Sequence, residues 1–331
     1  MIIKERKIPL FVLKLEALLR RLPPGHSKIP LIKEELSKRN AGFKGESSID
    51  FPLDFIGGKN YYIFHDIRLP VQSRFFQIDT LVLNTKFALI LEVKNISGVL
   101  QFDTVYNQLI RIKSGEEQVF PCPLIQVKRQ ANQLKNWLSE NKLPFDFPVF
   151  SLVVISNPRT GIKVIPPHIN LSQKVVHRDT LPVKINQFEK DTTNEIPDKL
   201  LKKIIRLVLK QNIEGDLSIL TRFHIHESEL LKGVLCPKCG HLPITKVKRT
   251  WQCASCNNKN KNAHIAALTD YRLFMGPTIT NQQLREFLNI ESSLSATRLL
   301  KSLNLPHTGA NKNRTYTLVF PNENTSQKGR H

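Results

Sequence analysis

The sequence predicts a mixed α/β core followed by a small metal-stabilised module and a basic helical one. Three observations carry this expectation. Val149 to Ile155 is almost wholly apolar and lies between Pro148 and Asn157-Pro158, the pattern of a strand buried on both faces. Gln77 to Leu83 and Phe87 to Val93 are rich in β-branched and aliphatic residues, and Asn84-Thr85-Lys86 between them is turn-like. Two Cys-x-x-Cys pairs, Cys236/Cys239 and Cys253/Cys256, stand 13 residues apart.

The elements follow in order. Ile8 to Leu22 could pass for a signal peptide, but Lys14 and Glu16 interrupt its apolar run and no small-residue cleavage site follows, so an amphipathic helix is the expectation. Pro23-Pro24-Gly25 and Pro30 mark a break, and a second helical stretch reaches Ala41-Gly42-Phe43. A new element is expected from Gly42, with Ile49, Leu53 and Ile56 at helical spacing, Glu46 in its first turn and Pro52 ending or kinking it. Strands are expected at Tyr61 to Phe64, Gln77 to Leu83, Phe87 to Val93, Gly98 to Phe102, Leu109 to Ile112 and Val149 to Ile155, with a helix at Pro123 to Leu138. In the stretch 181–230 the best helix is Asp198 to Leu209. Beyond it Lys246 to Gln252 is strand-like, Ile265 to Met275, Thr280 to Leu288 and Ser293 to Leu303 are helical, and Leu305 to Phe320 forms a hairpin with a basic tip at Thr308 to Arg314.

Lys and Arg outnumber Asp and Glu by 49 to 28, a net charge of +21, which favours a polyanionic partner: nucleic acid first, an anionic membrane surface second. Residues 231–331 hold 15 of the basic residues against four acids, so much of the surplus lies beside the cysteine pairs. No apolar run approaches the ~18 residues of a membrane span. Four of the five cysteines stand in the two pairs, which suits metal binding in a reducing cytoplasm better than a disulfide framework.

Asp79, Glu92 and Lys94 lie within the aliphatic strand pair. Residues two apart on a strand face one side, so Glu92 and Lys94 project together, and a tight turn at Thr85-Lys86 sets Asp79 opposite Glu92. Two carboxylates offer hard oxygen ligands to Mg²⁺ or Mn²⁺, and Lys94 can orient an attacking water. The alternative is a plain Glu92–Lys94 ion pair on a solvated face; Leu89-Ile90-Leu91 and Val93 speak instead for a central strand, where an uncompensated charge is costly.

Four runs in order give the stretch a family likeness. Ala41-Gly42-Phe43-Lys44-Gly45-Glu46, Phe76-Gln77-Ile78-Asp79, Leu91-Glu92-Val93-Lys94-Asn95 with Ser97-Gly98, and Pro123-Leu124-Ile125-Gln126 resemble the nuclease-related domain, NERD, a branch of the PD-(D/E)xK nuclease superfamily, over roughly residues 40–155. The resemblance implies an α-β-β-β-α-β core, with Glu46 on the first helix, Asp79 and Glu92 as metal ligands, Lys94 as the catalytic lysine and Gln126 facing the same pocket. Cys122 departs from the pattern, which commonly has Asn before the Pro; by itself, Cys122 reads as a small buried residue.

Each Cys-x-x-Cys pair can form a knuckle, and Cys236, Cys239, Cys253 and Cys256 together suit one tetrahedral Zn²⁺ in a closed, structural zinc ribbon. His224, His226, His241 and His264 are rival ligands. Lys248 and Arg249 in the ribbon, Ser293, Ser295, Arg298 and Lys301 on the third helix, and Lys312 and Arg314 at the hairpin tip are candidates to face nucleic acid in a winged-helix-like arrangement; the alternative is a helical packing module with solvated charges.

The expected segments are an N-terminal helical segment (1–39), a NERD nuclease-like domain (40–180), a helical connector (181–230), the zinc ribbon (231–262), the winged-helix-like domain (263–320) and a tail (321–331). The function expected is cytoplasmic, metal-dependent hydrolysis of nucleic acid, DNA before RNA. The competing readings are a catalytically inactive nuclease-fold binder and membrane-surface attachment through Lys4, Arg6, Lys7, Lys14, Arg20 and Arg21.

Overall fold

The computed structural model describes residues 1–56, 60–143, 146–215 and 218–319, without the Lys312 side chain; the expected tail and Phe320 lie outside the described residues. Residues 1–7 with 39–215 form one compact unit, and residues 8–38 with 216–331 a second. The chain opens with β1 (Ile2–Lys4), α1 (Leu10–Arg21) and α2 (Ile29–Ser47), and the boundary between units falls within α2.

The first unit continues through α3 (Asp50–Asp54), β2 (Tyr62–Val71), β3 (Arg74–Leu83), β4 (Ala88–Lys94), β5 (Val99–Asp103), β6 (Gln108–Lys113), β7 (Glu116–Pro121), α4 (Pro123–Glu140), β8 (Val149–Ile155), β9 (Gly161–Ile165), β10 (Val175–His177), α5 (Leu181–Asp191) and α6 (Asp198–Gln211). A six-stranded sheet runs in the order β1-β2-β3-β4-β8-β10. Its β2, β3 and β4 are antiparallel, whereas β8 lies parallel to β4, so both β4 and β8 are interior strands and read as continuous apolar runs. One face packs Leu81, Leu83, Ala88 and Ile90 against Leu134, Trp137 and Leu138 of α4 and Leu201, Ile204 and Val208 of α6. The other packs Val82, Leu89, Leu91 and Val93 against Leu53 of α3 and Leu181 and Ile185 of α5. A second sheet, β7-β6-β5-β9, takes three strands from the stretch between β4 and α4 and its fourth, β9, from after β8.

The expected break at Gly42 is corrected: α2 runs on to Ser47, so Glu46 sits in the last turn of a long helix, and α3 is separate. Gly45 is there for proximity. A Cβ on it would lie 2.4 Å from the Cβ of Asn95, at the end of β4. Pro52 lies inside the short α3, where a first-turn proline is tolerated. Gly98 takes φ +107°, and a side chain there would strike the Ile112 carbonyl.

The second unit adds α7 (Ile219–Phe223), β11 (Thr245–Val247), β12 (Thr250–Gln252), β13 (Lys259–Asn260), α8 (Ala263–Met275), β14 (Thr278–Thr280), α9 (Asn281–Leu288), α10 (Ser293–Ser302), β15 (His307–Thr308) and β16 (Thr315–Thr317). The ribbon residues Cys236, Trp251 and Cys253 share one core with Leu268, Phe287 and Leu300 of the helices. Thr280 caps α9 and Gln283 returns the bond, the reciprocal capping box. The expected terminal hairpin forms, pairing His307 with Tyr316 and Thr308 with Thr315.

In α1, Leu15 and Leu18 pack on Ile219 and Phe223, and Arg21 is fully buried. Arg21 donates to Asp270 Oδ2 at 2.9 Å and to the Gly233 carbonyl at 2.7 Å, while Arg20 donates to Asp270 Oδ1 at 2.7 Å. Of the basic residues named for membrane attachment, Lys14 and Arg21 are buried here and Arg6 is engaged within the first unit, while Lys7 and Arg20 are exposed. Among the described residues no helix is long and apolar enough to cross a membrane.

Removing one partner of a buried ion pair strands the other. Asp270→Ala is expected to destabilise the second unit by about 3–5 kcal/mol, measured as a lower urea midpoint; an unchanged midpoint would show the pair to be dispensable.

Candidate functional site

The candidate site grows out of two matching rows. On β4, Ala88 and Ile90 face the core beneath α4, and the same alternation brings Glu92 and Lys94 to that side. On α4, the stripe that is apolar at Leu134, Trp137 and Leu138 becomes polar one and two turns earlier, at Gln130 and Gln126. The polar ends meet. Lys94 Nζ donates to Glu92 Oε1 at 2.7 Å and to Gln126 Oε1 at 3.1 Å, and Gln130 Nε2 donates to Glu92 Oε2 at 2.9 Å and to the Gln77 carbonyl at 3.0 Å. Glu92 is 3 % exposed, so the solvated-face alternative does not describe it.

Asp79 lies one residue beyond the last paired residues of β3 and β4, Thr80 and Leu91. Its Oδ2 accepts from the Val93 amide at 3.0 Å, so the side chain takes the place of a ladder partner. Burial first, then Glu92 and Glu46, push the Asp79 carboxyl well above its ordinary value, against the Val93 hydrogen bond and Lys94. Glu46 is also raised, by burial and by Asp66 and Glu92, with Arg6 and Lys94 opposing. The three acids thus share one field.

Behind Glu46 lies a buried polar network. Arg6 donates to Glu46 Oε2 at 3.2 Å, to Asp50 Oδ1 at 3.2 Å, to His65 Nδ1 at 2.8 Å and to Thr80 Oγ1 at 3.0 Å. Burial, with Arg6 and Lys4, lowers His65 to about 3, so the imidazole is neutral and accepts at Nδ1. Sequence reasoning missed this network because Arg6 reaches it through the pairing of β1 with β2, more than fifty residues away in the chain. It also missed Gln130, although a glutamine four residues after Gln126 on one helix was a legible signal.

Among the described residues the four cysteines form the one group of three or more potential ligand residues gathered at metal distance, with ligand atoms all within 4.8 Å. The Sγ pairs Cys236–Cys256 and Cys239–Cys253 are 3.6 Å apart. A tetrahedral ion with bonds of about 2.3 Å has edges of about 3.8 Å, so the donors fit Zn²⁺. Burial acts to raise Cys236, but the amides of Cys239 and Lys238 and the thiol of Cys256 bring it down to about 6. His264 instead accepts from Trp251 Nε1 at 3.2 Å, and none of the four rival histidines joins the group. Glu46, Asp79 and Glu92 are less tightly gathered, but two carboxylates are enough for Mg²⁺, which keeps several waters.

Lys248 and Arg249 are exposed at the turn joining β11 and β12, and Arg298 and Lys301 are exposed on α10. Arg314 is half-buried at the start of β16, and the Lys312 side chain lies outside the described residues. Cys122 is buried, as expected.

Residues 41–156 match the family model of the nuclease-related domain, NERD, and the chain carries that domain there. Comparison with curated proteins and with solved structures gives no match.

Two outcomes follow from this geometry. Asp79 titrates higher in the folded state than unfolded, so it favours folding below the ordinary carboxylate range, and that contribution is lost as pH rises. Asp79→Asn, which can still accept from Val93, is expected to melt above wild type near about pH 7 and level with it near about pH 3, with added Mg²⁺ raising the wild type alone. For the cysteines, metal analysis of Cys253→Ser should find well below the about one Zn²⁺ per chain expected of wild type; equal zinc in both would remove the assignment.

Proposed function

We propose that the chain is a metal-dependent nuclease that hydrolyses phosphodiester bonds of nucleic acid, with DNA as the expected form and the basic second unit holding the substrate. The observation that carries the reading is the buried Glu92 joined to Lys94 and Gln130, with Lys94 also held by Gln126, beside the crowded Asp79. A divalent cation on Asp79 and Glu92 would supply Lewis acidity at the phosphoryl oxygen and lower the pKa of a bound water. Lys94 is the residue that faces substrate: two of its three donors are directed to Glu92 and Gln126, and its side chain remains 25 % exposed. Its ammonium can orient water and stabilise developing charge without a covalent intermediate. Gln126 holds that ammonium in place, and Gln130 holds the carboxylate. Glu46, steadied by Arg6, adds to the negative field.

In the second unit the order α8-β14-α9-α10-β15-β16, with a β14-β16-β15 sheet, supports a winged-helix reading in which α10 and the β15–β16 tip meet nucleic acid. Arg298 and Lys301 then contact phosphates, with Lys248, Arg249, Lys312 and Arg314 as further candidates. One observation favours the second reading, a binder without turnover: both Glu92 oxygens already have internal partners. Cleavage assays with Mg²⁺ and Mn²⁺ on labelled linear, circular, single-stranded and RNA substrates separate the two.

Asp79→Ala, Glu92→Ala and Lys94→Ala are each expected to lower cleavage at saturating substrate by at least about 100-fold while leaving binding largely intact. Replacing Arg298 and Lys301 together by alanine should instead weaken binding and reduce the slope of log affinity against log salt by about 2. A wild type that binds nucleic acid with steep salt dependence yet cuts none with either metal would establish the binder reading.

A further inference from the structure

Beside the site lies a cleft of about 350 Å³ whose walls are the outer end of β3 and the first turns of α4. Gln126 and Gln130 line it, so it opens directly onto the groups that hold Lys94 and Glu92. The volume falls at the lower end of the ~300–1,000 Å³ of small-ligand sites. That is room for one nucleotide.

The lining chemistry matches such a unit. Phe75 lines the cleft and is 43 % exposed, so its ring is open to a ligand there. The Arg68 guanidinium lies over the ring at 4.1 Å from its centroid, covering one face and fixing its plane. Arg74 on the strand wall and Arg129 on the helix wall are exposed, and neither has a carboxylate partner among the described residues. Both are free to meet phosphate. Gln130 is 5 % exposed, and its Oε1 is buried without a hydrogen-bond partner. A buried acceptor without a donor is costly, and a base edge carries N–H donors that would satisfy it.

We infer that this cleft takes one unpaired nucleotide adjoining the scissile phosphate, its base stacked on Phe75 and its phosphates met by Arg74 and Arg129, so that the substrate class is single-stranded nucleic acid or an unpaired strand end. The inference rests on the hydrolytic reading for the word scissile only. A base inside a duplex is stacked on both sides and has no face to offer an aromatic ring, whereas an unpaired base does.

The test uses the full chain without added divalent cation and DNA carrying one 2-aminopurine, as a single strand and as a duplex. Wild type is expected to quench the single-strand probe on binding. Phe75→Leu should lose that quenching and weaken single-strand binding by about 5- to 100-fold, the loss of one base–aromatic stack, with duplex affinity unchanged. Phe75→Tyr should keep both signals. The inference is overturned if Phe75→Leu matches wild type on the single strand, or loses single-strand and duplex binding equally. Cleavage is scored separately with Mg²⁺ and Mn²⁺: Phe75-dependent quenching without cleavage removes the hydrolytic reading and leaves the nucleotide cleft standing.

Discussion

Everything at the first site depends on one constraint: a carboxylate is buried on an interior strand. β4 has β3 on one side and β8 on the other, so Glu92 cannot turn to solvent at an edge, and its row faces α4. A charge in that position must have partners or the fold is penalised. Both oxygens have them, Lys94 on one and Gln130 on the other. The helix supplies those partners because its buried stripe changes character along its length. The apolar turns at Leu134 to Leu138 anchor it on the sheet, and the polar turns at Gln126 and Gln130 then arrive over Glu92 and Lys94. The same packing that stabilises the domain therefore aims its polar end.

Crowded acids require support from behind as well as from above. Asp79 and Glu46 both titrate upward, principally from burial, Asp79 then from Glu92 and Glu46, and Glu46 from Asp66 and Glu92. Such mutual repulsion is destabilising on its own, and it persists where function retains it. Arg6 is the counterweight: its guanidinium spans Glu46, Asp50, the neutral His65 and Thr80. An arginine suits this place because its planar fork reaches several acceptors at once, which an ammonium on a flexible stem would not. Gly45 completes the arrangement, since any larger residue would push the end of α2, and Glu46 with it, away from Asn95 and the end of β4.

Much of this was legible in the sequence, and the misses have physical causes. β4, β8, α4 and α6 were readable because their burial patterns are pure: continuous apolar runs for interior strands and a helical stripe on α4 and α6. β2 was seen only as far as Phe64, because Asp66, Arg68 and Pro70 dilute the apolar pattern beyond it while tertiary pairing carries the strand on to Val71. β7, β9 and β10 carry little pattern of their own and exist through the strands that receive them. Gly42 was read as the start of a new element, although the helix runs through it and Gly45, three residues on, is a packing contact. Lys94 and Glu92 announced themselves as charges among aliphatic residues. Arg6, Phe75 and Gln130 did not, since their meaning comes from partners distant in the chain.

The two candidate metal centres differ in a way that their donor chemistry explains. The cysteine sulfurs are held by backbone amides and by one another, so they can stand in pairs 3.6 Å apart around a common point within the core that Trp251 and Leu268 share. Carboxylates repel at comparable distances, so the acids of the first site are held apart and each takes internal hydrogen bonds. A centre that serves architecture gains from ligands already converged and closed to further partners. One that serves chemistry gains from ligands whose charge is only partly satisfied and whose neighbouring lysine is still open to solvent. Cys236 and Cys253 are buried, Cys256 is half-buried and Cys239 exposed, whereas Glu92 is buried beside a Lys94 side chain that is 25 % exposed, the contrast expected if the cysteines serve architecture and the acids chemistry.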